Sequence, residues 1–240
     1  MKVLGIDSSG LVASAALLEE ESILGEYSTN YKKTHSETLM PMIDTLLTQL
    51  GVERTAIDYV AVASGPGSFT GLRIGAATAK GICLALHVPL IPVPTLDAMA
   101  MNLWGAADLV CPMMDARRDQ VYTGIYAFSE GRPIRKTEPG PLSLAEAAKR
   151  LNGFGQRVLL LGDGADRFKE DLKNKLTVDY AFTPAHLNRQ RAGSVAVLGR
   201  LLALEGGAVS GESFAPSYYR LSQAERERKK HMESGNIEDI

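Results

Sequence analysis

The sequence predicts an α/β protein in which one unit of strands and helices is used twice. Short apolar runs, typical of buried strands, alternate with segments whose apolar residues recur every three or four positions, as on one face of a helix. The order of these segments up to residue 105 recurs after residue 106, which indicates a duplicated architecture. With 240 residues the chain is long enough for two domains of about 100 to 130 residues each.

The first half is predicted to run β-β-β-α-β-α-β-α. Strands are expected at residues 2–8, 12–18, 22–31, 58–64 and 89–93. Helices are expected at residues 35–50, from the glycine-rich turn at 65–71 to about residue 86, and at 95–103. Gly51 is predicted to end the first of these helices.

The second half is predicted to repeat this order. Strands are expected at residues 109–114, 120–128, 133–137, 158–161 and 178–182, and helices at 144–151, 165–176 and 194–204, with a turn at 162–164. A β-β-β-α-β-α-β-α unit used twice is the pattern of the actin-like, sugar-kinase-like ATPase fold. We expect domains at residues 1–105 and 106–223, and a charged, solvated tail at 224–240.

Composition excludes several classes of function. The net charge of −2 gives the molecule as a whole no electrostatic affinity for nucleic acid or for an anionic membrane. No apolar stretch approaches the ~20 residues that span a bilayer, and Asp7 comes too early for a signal peptide, so we expect a cytoplasmic protein. Cys83 and Cys111 have apolar neighbours and form no C-x-x-C pair, which predicts two reduced, buried thiols.

The segment at residues 64–75, which contains the glycine-rich turn and the start of the helix after it, is the most informative. Glycines between a strand and a helix suggest anion binding, but Gly71 is followed by leucine rather than the lysine of a Walker sequence. The dinucleotide spacing fails as well, because the third glycine comes one residue late after Gly65 and Gly67. A rigid turn, stiffened by Pro66 and capped by Ser68 or Thr70, is the stronger interpretation.

The helix after this turn carries a stripe of small residues four positions apart. The stripe consists of Gly71, Gly75, Ala79 and Cys83. It allows another element to approach closely, either this chain's own sheet or a second subunit. An exposed Phe69 on a rigid turn favours the subunit interface.

Three sets of polar residues could carry chemistry. His35 has Thr38 and Leu39 one turn further on, so it lacks a second metal ligand on its helix face. Asp7 and Asp115 follow the first strand of each half and could either hold magnesium for phosphoryl transfer or cap turns. The third set is basic, scattered in sequence and taken as solvated surface unless the fold gathers it: Arg117, Arg118, Lys149, Arg150, Arg189 and Arg191.

Four segments together resemble the TsaB family of bacterial proteins. They are Ile6-Asp7-Ser8-Ser9, the helix that opens with His35, the run from Gly65 to Gly75, and Ala215-Pro-Ser-Tyr-Tyr-Arg220. The resemblance covers residues 1 to about 220. It implies the two-domain actin-like fold and a part in making threonylcarbamoyladenosine in tRNA. Where related TsaD-like transferases hold a metal with two histidines four residues apart, this chain has Leu39 in the second place.

The resemblance implies a non-catalytic subunit with several partners. These are a TsaD-like transferase subunit and a TsaE-like ATPase, with tRNA reached indirectly through the complex. A homodimer through the same helices is open as well, because a surface meant for a related partner can pair with itself. We expect no catalytic, cofactor-binding or metal-binding residues in the chain itself; whether a nucleotide binds at the interface of the complex stays open. The alternative is a stand-alone magnesium-dependent ATPase or kinase, and a metallopeptidase is weaker still.

The resemblance also implies that the partner interface lies on the first two helices, at residues 35–50 and 71–86. Its predicted members are His35, Leu39, Met42, Ser68, Phe69, Thr70, Gly71, Arg73, Gly75 and Ala79.

Overall fold

The computed structural model describes residues 1–31 and 34–219. In the first half the strands are β1 (Lys2–Asp7), β2 (Ala13–Glu19), β3 (Ser22–Thr29), β4 (Tyr59–Ala63) and β5 (Leu90–Val93). The helices are α1 (His35–Leu50), α2 (Phe69–Leu86) and α3 (Thr95–Met101). The predicted order of this half is confirmed, and Gly51 ends α1 in a left-handed conformation with φ 63°.

The second half contains strands and helices in a closely related order. Its strands are β6 (Leu109–Asp115), β7 (Gln120–Thr123), β8 (Tyr126–Ser129), β9 (Arg132–Arg135), β10 (Gly140–Ser143), β11 (Val158–Leu161) and β12 (Tyr180–Phe182). Its helices are α4 (Leu144–Phe154), α5 (Asp163–Arg167), α6 (Lys169–Lys175) and α7 (Ala192–Leu204).

The two halves form sheets of the same topology. The first sheet has the strand order β3-β2-β1-β4-β5, and the second has the order β10-β7-β6-β11-β12. In each, the first three strands pair antiparallel and the last two add in parallel. The predicted duplication is therefore confirmed at the level of topology.

The strand predictions were wrong in one region of the second half. The run at 120–128 is broken after Thr123, and β8 turns away to pair with β9 as a hairpin beside β6. The third place in the sheet, predicted for 133–137, is taken by β10. That strand was missed because Gly140 and Pro141 are poor strand formers, which an edge strand tolerates. The predicted turn at 162–164 also differs, because α5 begins at Asp163.

Each half covers its sheet with a helix from the other half. Leu96, Met99 and Ala100 of α3 pack in one cluster with Val110 of β6 and Leu161 of β11. In the opposite direction, α7 lies against β1, β2, β4 and β5 of the first sheet. The first sheet is thus buried on both faces, as its parallel strands require. The division into domains at residues 1–105 and 106–223 stays a prediction, and the predicted tail at 224–240 lies outside the described residues.

Helix α2 has the length and composition of a membrane span, with 18 residues and a mean hydropathy of 1.2, contrary to what the sequence suggested. Its buried positions, which include Leu72, Ala79 and Cys83, nevertheless pack on this chain's own core. A helix with one face in a globular core satisfies the same criterion. Both cysteines are free and buried as predicted, and burial raises the pKa of the Cys83 thiol to about 11 and that of Cys111 to about 12.

Candidate functional site

The glycine-rich turn is enclosed by its own chain. The N–H of Ser68 donates to the carbonyl of Ser9 at 2.7 Å, and the N–H of Ser217 donates to the carbonyl of Ser64 at 2.7 Å. A Cβ on Gly67 would lie 2.4 Å from Ser9 O, so there is no room for a side chain on that side of the turn. The rigid-turn interpretation is supported, because the chain's own backbone occupies space beside the turn.

Ser68 caps helix α2, as one of the two sequence alternatives proposed. Its Oγ accepts a hydrogen bond from the N–H of Gly71 at 3.3 Å. Phe69 follows the cap and is half-buried rather than exposed. Its ring lies between the Arg73 guanidinium, 4.1 Å from its centroid, and the Tyr218 ring, 4.8 Å away.

The small-residue stripe faces inward. A Cβ on Gly71 would lie 2.1 Å from Ser8 O, and one on Gly75 would lie 2.5 Å from Ser8 Oγ. Ala79 and Leu39 are 0% and 1% exposed in the core below the two helices. Gly71, Gly75, Ala79 and Leu39 thus face the inside of the chain, and the two glycines let α2 approach the end of β1. Their part in a partner interface stays a prediction.

The other predicted interface residues lie nearer the surface. Ser68, Thr70 and Arg73 are exposed, and Met42 is half-buried. His35 is also half-buried, and its Nε2 lies 2.9 Å from the carbonyl of Gly10. This contact with a backbone carbonyl elsewhere in the chain fits the sequence argument that His35 is not a metal ligand.

An open apolar groove of about 670 Å³ runs between the outer faces of α1 and α2. Its walls include Met40, Ile43 and Leu47 from α1 and Ala77, Thr78, Gly81, Ile82, Ala85 and Leu86 from α2. We call this surface the helix groove. The ion pair between Arg54 and Asp44 belongs to the same lining and is solvent-exposed.

The sequence analysis predicted an interface on the two helices that form the helix groove but did not name a residue of the groove, and that interface stays a prediction. The missed signal was the second small-residue series on α2. Ala77, Gly81 and Ala85 recur four residues apart, on the face turned away from the stripe. All three are exposed.

Asp7 and Asp115 occupy equivalent places in the two halves and both fold back on a turn. Asp7 Oδ1 accepts hydrogen bonds from the N–H of Ser9 at 2.8 Å and from Ser9 Oγ at 2.7 Å. Asp115 Oδ1 accepts from the N–H of Arg117 at 2.8 Å, and its Oδ2 accepts from Arg167 at 2.5 Å. The turn-capping interpretation therefore fits both residues.

Asp7 is also electrostatically unusual. Its side chain is completely buried, and this burial raises its pKa from 3.8 to about 6, against the lowering effects of Ser9 and His35. Its Oδ2 has no hydrogen-bond partner among the described residues. Within residues 1–31 and 34–219, no group of three or more potential metal-ligating side chains comes together.

Members of the scattered basic set pair with different carboxylates. Arg117 and Arg167 both contact Asp115, and Arg189 pairs with Asp166 at 2.6 Å. In contrast, Arg191 pairs across to Glu26 of the first sheet, and Arg150 pairs within α4. Arg117 and Arg118 sit together on the loop between β6 and β7 and are both exposed.

Solved structures place the chain in a known class of fold. The actin-like class is supported by the (R)-2-hydroxyglutaryl-CoA dehydratase component A of Acidaminococcus fermentans, with a TM-score of 0.50 at 12% identity over 86% of this chain and 99% of that one. YeaZ from Pseudomonas aeruginosa superposes better, with a TM-score of 0.78 at 27% identity, covering 90% of this chain and 99% of that one.

Sequence relatives narrow the class to one family. The family model of tRNA N6-adenosine threonylcarbamoyltransferase, TsaD, matches residues 22–228. The tRNA threonylcarbamoyladenosine biosynthesis protein TsaB of Bacillus subtilis is 33% identical over 94% of this chain and 96% of its own length. The chain belongs to the TsaB family.

Proposed function

We propose that this chain is a non-catalytic subunit required for transfer of threonylcarbamoyl to the adenosine next to the tRNA anticodon. It acts as partner and scaffold for a TsaD-type transferase and a TsaE-type ATPase. The observation that carries this proposal is the helix groove, an open apolar surface between two helices of a chain whose relatives are named for this modification.

The groove is suited to receive helices of a related chain. Its walls include the small residues Ala77, Gly81 and Ala85, which allow close helix approach, and the larger apolar side chains Met40 and Ile82. A TsaD-type partner is related to this chain, since the TsaD family model matches residues 22–228. A surface fitted to a related chain can also fit a second copy, so we expect a homodimer to compete for the same groove.

A non-catalytic role is supported at two places: the glycine-rich turn, and the position at which TsaD-like transferases have a second metal-binding histidine. The glycine-rich turn is packed against Ser9 and Ser217 of the same chain. Leu39, in the place of a second histidine, is 1% exposed in the core. We propose that the complex lies in the cytoplasm. The tRNA binds to the assembled complex.

The direct test is reconstitution. The chain is mixed with its TsaD-type and TsaE-type counterparts, the enzyme that makes the threonylcarbamoyl adenylate, tRNA, threonine, bicarbonate and ATP, and modified nucleoside is measured by mass spectrometry. We expect modification only when the chain is present. Equal modification in its absence would refute the proposal.

A stand-alone magnesium-dependent ATPase or kinase is the second candidate. It is favoured by Asp7, whose Oδ2 is buried without a partner among the described residues at the end of β1. Calorimetry of ATP with magnesium on the pure chain separates the two functions. Tight binding with turnover by the chain alone would favour the enzyme, and its absence would favour the subunit.

A further inference from the structure

A second cavity lies where the two halves of the chain meet and shares no lining residue with the helix groove. Its volume is about 320 Å³. It is lined by the turn between β2 and β3, the C-terminal end of α3 and the residues after it, the turn between β8 and β9, and one face of α7. We call it the junction pocket. An occupant of this pocket would contact elements of both halves.

Much of the lining is apolar. Met101 from the end of α3 and Val197 and Leu201 from α7 supply aliphatic side chains. Trp104 adds an indole ring that is 63% exposed. The Trp104 Nε1 donates a hydrogen bond to Gly131 O at 2.9 Å, which ties the ring to the turn between β8 and β9. The junction pocket can therefore cover the apolar part of a small molecule.

Two glutamates of the lining are uncompensated. Glu21 and Glu130 lie in two-residue turns between paired strands, and both are exposed. Among the described residues, neither has a cationic group within ion-pair distance. In contrast, Glu20 pairs with the amino group of Met1, and Arg132 pairs with a glutamate outside the lining. The pocket thus offers carboxylates that an external cation can neutralise.

Arg200 is the complementary feature of the lining. Its side chain is only 19% exposed, and its Nε is buried without a hydrogen-bond partner among the described residues. Its ion-pair contact with Glu20 is 3.7 Å long, which exceeds the length of a hydrogen bond. Buried polar groups are normally hydrogen-bonded, and a guanidinium has five N–H groups to satisfy. The Arg200 guanidinium therefore has donor capacity for an acceptor that enters the pocket.

Unused donors, uncompensated carboxylates and apolar walls in one small pocket fit a zwitterion with an apolar body. A simple anion would pair with Arg200 but be repelled by Glu21 and Glu130, and a simple cation would meet the reverse arrangement. A free α-amino acid has a carboxylate for the guanidinium and an ammonium group for the glutamates. A pocket of about 320 Å³ is at the small end of the range for ligand sites, as a ligand of this size requires.

We infer that the junction pocket binds a free α-amino acid with an apolar side chain. Its carboxylate is held by Arg200, its ammonium group lies towards Glu21 and Glu130, and its side chain packs on the apolar lining. The inference is independent of the proposed function, because the junction pocket lies apart from the helix groove.

The fluorescence of Trp104 tests this binding site directly, because the chain contains one tryptophan and that residue lines the pocket. The full chain is titrated with L-leucine, L-methionine and L-phenylalanine, and calorimetry on the same samples detects binding that leaves the fluorescence unchanged. We expect saturable binding of at least one of them. We also expect a higher midpoint of thermal unfolding in its presence.

Ligand analogues separate the two charges of the zwitterion. For leucine, 4-methylpentanoate lacks the ammonium group and 3-methylbutylamine lacks the carboxylate. The amine is expected to bind about tenfold or more weakly than the amino acid, because it leaves Arg200 without its acceptor. The carboxylate is expected to bind about twofold to fivefold more weakly, because the glutamates that it leaves unpaired are exposed to solvent.

Variants of the charged lining test the same assignment from the side of the protein. Arg200→Lys keeps the charge but loses the planar fork of donors, and it should weaken amino-acid binding by about tenfold. The double variant Glu21→Gln with Glu130→Gln should weaken it by about twofold to fivefold. Glu53→Gln and Arg157→Lys are matched controls at exposed positions outside the pocket, and both should bind as the wild type does. Urea unfolding shows that each variant is folded.

Three results would overturn the inference. The first is the absence of saturable binding of all three amino acids by both methods. The second is an affinity for either single-charge analogue that equals or exceeds that for leucine, which would make the pocket a site for a simple anion or a simple cation. The third is wild-type affinity in Arg200→Lys and in the double glutamate variant. Reconstituted tRNA modification depends on none of these results, so the proposed function stands or fails separately.

Discussion

Ser8 and Gly71 join the end of β1 to the start of α2. Ser8 Oγ donates a hydrogen bond to Gly71 O at 2.9 Å, and a Cβ on Gly71 would lie 2.1 Å from Ser8 O. Because the second contact is with backbone, neither side can move aside cheaply. The glycine is therefore required by packing inside the chain, and its substitution reports on stability before it reports on any partner.

Gly71→Ala is expected to lower the free energy of unfolding by about 1–3 kcal/mol, because the added methyl group overpacks the contact with Ser8. Gly81→Ala is the matched control on the same helix, since a Cβ there meets nothing within 4 Å. It should stabilise the chain by roughly 0.5–1 kcal/mol through helix propensity. Urea unfolding measures both, and equal effects of the two substitutions would contradict the inward-facing stripe.

Asp7 predicts a distinctive dependence of stability on pH. Its pKa is about 6 in the folded chain because of burial, against 3.8 as the ordinary value. Between these values the folded state holds a proton that the unfolded state releases. The contribution of neutral Asp7 is therefore complete below about pH 4 and is lost as the pH rises through 6. A pKa difference of about 2 corresponds to about 3 kcal/mol.

Asp7→Asn keeps an oxygen for the hydrogen bonds of Ser9 and removes the titration. The difference in unfolding free energy between this variant and the wild type should change by about 3 kcal/mol from pH 4 to pH 7, in favour of the variant at the higher pH. Urea unfolding of both chains over this range measures it. If the unfolding free energies of the two chains changed in parallel with pH, burial would not raise the pKa of Asp7 as described.

Ala85→Glu places a charge in the helix groove and should weaken association with a TsaD-type partner by at least about tenfold, or 1.4 kcal/mol, because the charge would be buried without a partner. Thr48→Glu is the control, an exposed position on α1 outside the groove lining. Analytical ultracentrifugation of the mixed chains gives the dissociation constants. If both substitutions weakened the association equally, or if neither weakened it, the groove would not be the interface.

Asp97 of α3 ties the first half of the chain to the β8–β9 hairpin. It accepts hydrogen bonds from the buried Tyr126 hydroxyl at 2.8 Å and from Arg135 at 2.7 and 3.1 Å. Asp97→Ala should lower the unfolding free energy by roughly 1–3 kcal/mol, because the Tyr126 hydroxyl loses its acceptor. Glu205→Gln, which removes an exposed ion pair with Arg132, should change it by at most about 1 kcal/mol. A larger loss of unfolding free energy in Glu205→Gln than in Asp97→Ala would contradict this prediction.

The fold was largely predictable, and its failures have local causes. The spacing of Leu39, Ile43 and Leu46 identified α1, and the shift between period two and period 3.6 separated the other elements of the first half. The strands of the second half were harder to predict, because the alternation of apolar and polar residues continues past Thr123, where the backbone turns away. Strand β10 contains Gly140 and Pro141, whose low strand propensity argues against a strand. An edge strand tolerates both residues.

The candidate site was predictable as a pair of helices and not as a surface. Small residues occur on two faces of α2, and residue type alone does not say which face is inside. Gly75 and Ala79, which the sequence analysis named, pack inward, whereas Ala77 and Ala85, which it did not name, line the groove.

The sequence by itself determined the duplicated α/β order, the missing metal partner of His35 and the family, because these depend on local periodicity and on residue types at fixed spacing. Only the tertiary structure decided which helices cover which sheet. Helix α3 packs on the sheet of the second half and α7 on that of the first. Such contacts join residues separated by more than 100 positions along the chain, for example Gly5 and Ala196. They follow from the requirement to bury both faces of each sheet, which no local pattern records.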